Sequence, residues 1–158
     1  MDMKSKIKTF VSMLVVAALI AAMTSVIVTG QYSGSEGSIT GVWKTVVTPK
    51  ICGGPSLPIS FPGILLFNKD GNTTGASTLV SSGYGVWKRE PGDHNYSFKL
   101  LSFHLDPNGA LLGTRVIWQN VTLTTGDTMT TEGGFTDYDP AGNQTASGCS
   151  TATGARFE

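Results

Sequence analysis

Few side chains in this 158-residue chain combine the type and the placement that chemistry needs. Glu132 and Arg115 both fall well inside strand-like segments. A carboxyl group enclosed by apolar side chains has its ionised form disfavoured and can serve in proton transfer. An enclosed guanidinium can grip a carboxylate through two parallel hydrogen bonds. Tyr138 follows Glu132 at an even spacing, so the two-residue period of a strand gives both the same face. His104 shares a face with Tyr96 and Phe98, and as a general acid or base it needs a polar partner that the sequence does not assign. Glu132, His104 and Tyr96 are therefore the catalytic candidates. Arg115, Tyr96, Phe98, Trp118 and Tyr138 are the candidates for lining a ligand site. The plainer reading has Glu132 and Arg115 pointing outward or pairing structurally, with both His94 and His104 solvated or structural.

No phosphate-binding loop, zinc-binding His-Glu pattern or nucleophile elbow occurs in the chain. Asp137 and Asp139, followed by Gly142-Asn143, lack the ligand series and closing Glu of a calcium loop and read as a turn. Neither metal nor cofactor is expected.

These residues must be positioned by strands. Beyond residue 30 the chain falls into eight runs rich in Val, Ile, Thr, Phe and Trp. Turn signals such as Asp70-Gly71, Gly92-Asp93, Pro107-Asn108-Gly109 and Gly126-Asp127 separate them. The runs predict strands over 39–51, 63–69, 73–80, 84–89, 95–105, 110–124, 128–138 and 144–157. Pro62 argues against a regular strand at its own position. Gly113 marks a predicted bend or bulge, and Gly133-Gly134 a corner or bulge. Eight antiparallel strands are the usual number for a closed up-and-down barrel that holds one small ligand, and closure removes exposed edges. Gly41-Val42-Trp43-Lys44 recurs as Gly85-Val86-Trp87-Lys88, which a duplicated half-barrel or convergent use of Gly before a bulky Trp would each explain.

Residues 1–30 read as a secretory signal: Lys4, Lys6 and Lys8 precede an apolar run from Phe10 to Val28. That run is long enough to serve as an anchor if uncleaved, which is the one route to a membrane. Residues 31–38 form a flexible leader and 39–158 the barrel domain. Without the signal, eight basic residues face ten acidic ones, a net charge near −2 with no basic patch, so nucleic acid is a poor partner. The predicted location is secreted or periplasmic, where disulfides persist, and the two cysteines, Cys52 and Cys149, read as one staple between the segment after the first strand and the last strand.

The fifth and sixth runs are apolar on both faces. A barrel strand that faces water outside should alternate more cleanly, and no helix is available as a cover. A homo-oligomer is the simplest cover.

Gly41-x-Trp43 at the start of a secreted barrel of this size resembles the lipocalin and wider calycin pattern. The resemblance implies that Trp43 closes one end, with a late basic residue packed over it. Arg156, in the tail Thr153-Gly154-Ala155-Arg156-Phe157, is the residue that fits. The whole also resembles small secreted proteins of unassigned role with the same start and end. More distantly, by strand count, it is similar to the allene oxide cyclase-like barrels, which implies cyclase or isomerase activity on apolar substrates. The leading expectation is a small apolar ligand held in the lumen without chemistry. A cyclase or isomerase is the alternative, and a cavity-free interaction module the third.

Overall fold

The computed structural model describes residues 37–157. The signal segment and most of the leader lie outside the described residues. Eight strands follow in chain order: β1 (Gly41–Lys50), β2 (Phe61–Phe67), β3 (Asn72–Ser77), β4 (Gly83–Arg89), β5 (Asn95–Leu105), β6 (Leu111–Leu123), β7 (Thr128–Tyr138) and β8 (Gln144–Arg156). Each pairs antiparallel with the next, and β1 pairs with β8 to close the barrel.

The hairpins are tight because Asp side chains satisfy the turn backbone. Asp70 accepts from the Asn72 amide, Asp106 from those of Asn108 and Ala110, and Asp139 from that of Asn143. Each turn also contains a Gly with positive φ: Gly71, Gly109 or Gly142.

Two local expectations change. Pro62 sits inside β2 opposite Val46, near the start of the strand where a missing N–H is tolerated. Gly133 and Gly134 stay in register with both neighbours, without a bulge. They are required by close approach: a Cβ on Gly133 would lie 2.1 Å from the Trp118 carbonyl oxygen, and one on Gly134 2.3 Å from that of Gly148. The irregularity expected near Gly113 is present as a register shift between His104 and Leu105 on the facing strand.

The repeated Gly-Val-Trp-Lys is not a duplicated half-barrel. It falls on β1 and β4, which run in opposite directions, whereas tandem halves of four strands would relate β1 to β5. Both tryptophans nevertheless end in the same layer of the core, and each donates its indole N–H to a backbone carbonyl, Trp43 to Ile39 and Trp87 to Asn68, both at 2.8 Å.

That layer plugs one end of the barrel. Ile39, Trp43, Phe67, Tyr96, Val121, Leu123 and Met129 are all buried there, with Trp87 packed against them. Phe67 meets Trp87 and Phe98 edge-on, at 6.3 and 5.6 Å between ring centroids. The loops at this end, 68–71, 90–94 and 124–127, are polar. At the opposite end, exposed apolar side chains crowd the loops and strand ends: Ile51, Leu57, Ile59, Leu79, Leu105 and Leu111.

Candidate functional site

Between the plug and the apolar end lies a cavity of about 330 Å³. Alternation along the strands turns Val47, Leu65, Phe98, Leu100, Ile117 and Phe135 inward to line it. Phe61, Leu79 and Val80 border it toward the apolar end. Small residues make the space: Gly63, Gly75, Gly83 and Ala152 stand where larger side chains would fill the lumen. The volume is at the lower end of the range for small-molecule sites.

Two polar groupings interrupt this lining. Nearer the apolar end, Arg115 on β6 faces Asp137 on β7, its registered partner. Arg115 donates from Nε to Asp137 Oδ1 at 2.6 Å and from Nη2 to Oδ2 at 2.7 Å. Its guanidinium also stacks over Phe135, 4.2 Å from the ring centre. These two hydrogen bonds from Arg115 hold the Asp137 carboxyl below the usual carboxylate range, against the opposing effect of burial. The fork is thus already occupied by an internal carboxylate.

Deeper in the lumen, Gln119, Thr131 and Ser150 form a connected trio on β6, β7 and β8. Gln119 and Ser150 both register with Gly133, which has no side chain, so the Gln119 amide reaches across it to donate to Ser150 Oγ at 2.9 Å. Thr131 Oγ1 donates to Gln119 Oε1, also at 2.9 Å. Gln119 and Thr131 are buried, and all three line the cavity.

The candidates named from sequence are placed as follows. Phe98 and Arg115 line the cavity. Tyr96 does not: it is buried in the plug, where its hydroxyl donates to the Gly37 carbonyl at 2.5 Å. His104 is half-buried on the inner-facing alternation of β5 but lies beyond the cavity-lining residues, opposite Gly113. Glu132 is on the outside, its side chain 69% exposed and paired with Lys50 at 2.5 Å. That hydrogen bond lowers its pKa, the reverse of what an enclosed acid would show. Trp118 is also on the outside, 44% exposed. Tyr138 shares the alternation of Glu132 and is not among the cavity residues. Glu132 and Trp118 are therefore corrected to outer-face residues and Tyr96 to the plug, while Tyr138, half-buried, does not line the cavity.

The closure residues meet directly. The Arg156 guanidinium lies 4.3 Å from the centre of the Trp43 ring and donates to the carbonyls of Ser38, Thr40 and Gly126. Cys52 and Cys149 are joined, tying the loop after β1 to β8. This disulfide is consistent with an oxidising compartment.

The trio was missed in the sequence, although a signal for it exists. On β6, Asn120 and Thr122 mark the outer face, which leaves Gln119 facing inward between Ile117 and Val121. Comparison of the chain with protein-family models, with curated proteins and with solved structures returns no match.

Proposed function

We propose that the barrel binds a small, mostly apolar molecule in its lumen and does no chemistry on it. The observation that carries this reading is the cavity of about 330 Å³, walled mainly by aliphatic and aromatic side chains and stoppered at one end by the buried plug. A cyclase or isomerase of the allene oxide cyclase-like kind would need an ionisable group free to act in the lumen. Glu132 lies outside and Arg115 is held by Asp137, so binding is the preferred reading. A lipocalin-like carrier role fits the plugged base and the Arg156–Trp43 contact. Residues 1–30 and the disulfide together favour a secreted or periplasmic protein.

The test is titration of the purified protein with the neutral fluorophore N-phenyl-1-naphthylamine, together with mass spectrometry of an organic extract. Saturable fluorescence enhancement is expected. Ala152→Phe, which fills the lumen from β8, is expected to abolish it while leaving the circular dichroism of the barrel intact. A wild-type protein that neither enhances the probe nor carries an extractable apolar compound would overturn the reading.

A further inference from the structure

The hydrogen-bond inventory of the deep trio does not close. Two hydroxyls and one primary amide present two O–H protons, two N–H protons and one carbonyl oxygen. As placed, Thr131 spends its proton on Gln119 Oε1, and Gln119 spends one N–H on Ser150. The Ser150 hydroxyl proton and the second Gln119 N–H remain without a protein acceptor among the described hydrogen bonds. Rotating the amide by half a turn exchanges the roles of the hydroxyls: Ser150 then donates, Thr131 accepts, and the Thr131 proton is the spare one. Either arrangement leaves one O–H and one N–H, side by side, in a lumen walled mostly by apolar side chains.

Two adjacent donors suit an acceptor oxygen. The trio carries no formal charge, and the nearest inward cation, Arg115, is neutralised by Asp137. A carboxylate there would be a charge removed from water without a partner, which is costly. A carbonyl or hydroxyl oxygen needs only the donors already present. We propose that the occupant of the lumen is an uncharged molecule with one carbonyl or hydroxyl oxygen. That oxygen is seated on Gln119 and on whichever of Ser150 and Thr131 holds the spare proton, and the apolar body lies against Phe98, Leu100 and Ile117. The inference rests on the reading of the cavity as a ligand site.

The experiment displaces N-phenyl-1-naphthylamine with decane, decan-2-one and decanoate at pH 7, on wild type, Ser150→Ala and Gln119→Leu. Each substitution is expected to weaken decan-2-one roughly three- to tenfold relative to decane, the range of one or two neutral hydrogen bonds. Decanoate is expected to bind more weakly than decan-2-one. A ketone-to-alkane ratio unchanged in both variants, or decanoate binding tighter than the ketone, overturns the proposal while leaving the ligand-site reading in place. Failure of every compound, the fluorophore included, on wild type defeats that reading instead. If Gln119→Leu does not fold, Ser150→Ala combined with Thr131→Val removes both hydroxyls and gives the same readout.

Discussion

Gly41 lies beneath Arg156: a Cβ on that glycine would stand 2.8 Å from the guanidinium Nη1, and its φ of 125° is one that L side chains rarely adopt. The Gly-x-Trp opening of β1 is thereby explained as one unit. Trp43 supplies the ring, and Gly41 leaves room for the cation that covers it. Gly41→Ala is expected to destabilise the barrel by about 1–3 kcal/mol through backbone strain and displaced packing. Arg156→Ala, which leaves three carbonyls at the plug without their donor, is expected to cost about 2 kcal/mol or more. Calorimetric melting checks both, and a Tm unchanged in Arg156→Ala would refute this account of the plug.

The Arg115–Asp137 fork gives a pH dependence with a definite sign. Asp137 has its pKa lowered in the folded state from an ordinary value near 3.8, so it binds fewer protons folded than unfolded in the acid range. Its stabilisation is complete above the ordinary value and is lost as the pH falls through the folded one. Asp137→Asn is expected to lose about 1.5–3 kcal/mol at pH 7, the range for hydrogen bonds to charged groups. That deficit should shrink progressively below pH 4. Denaturation curves of the two proteins that stay parallel down to pH 2 would contradict it.

The disulfide closes a loop of 97 residues, spanning nearly the whole barrel. In the chain-entropy model a loop of that length contributes about 4–5 kcal/mol, mainly by restricting the unfolded chain. Cys52→Ser with Cys149→Ser is expected to lower the melting temperature by more than any single lumen substitution. Ligand affinity, measured well below melting, should change little, since neither sulfur lines the cavity.

The outer face of β4 and β5 carries Tyr84, Leu101 and Phe103, all exposed, and Tyr84 registers with Leu101 across the strands. A second copy of this chain is the proposed cover. Sedimentation equilibrium of the protein without residues 1–30 is expected to give a mass above that of one chain. Leu101→Lys with Phe103→Lys should return it to a monomer. A monomer in the unsubstituted protein rules this out.

The strand plan was legible because turn chemistry is local. The limits of β5 and β7 follow from the Gly and Asp signals on either side and agree with the structure residue for residue. The facing of side chains was less legible. On β6, Val116 and Trp118 are as apolar as Ile117 and Val121, so hydrophobicity could not say which set turned inward. Trp118, a candidate for the ligand site, lies on the outer surface near Gly134 instead. Glu132 invited an acid–base role by its position within a strand, but its neighbours Thr130 and Thr128 share its water-facing side. Gln119, the residue on which the lumen's polarity turns, carried no charge to draw notice, and its partner Ser150 came from a strand of small residues with no obvious rhythm.

The plug has a kinetic consequence. With the base stoppered by Trp43 and its neighbours, anything entering the hollow must leave by the same doorway, past the chain that Cys52 fastens to β8. A bulkier or stiffer threshold there slows arrival and departure by one common factor. Changes around Leu57 or Ile59, which stand at that end without lining the cavity, should therefore alter how long a guest stays, without altering how strongly it is held.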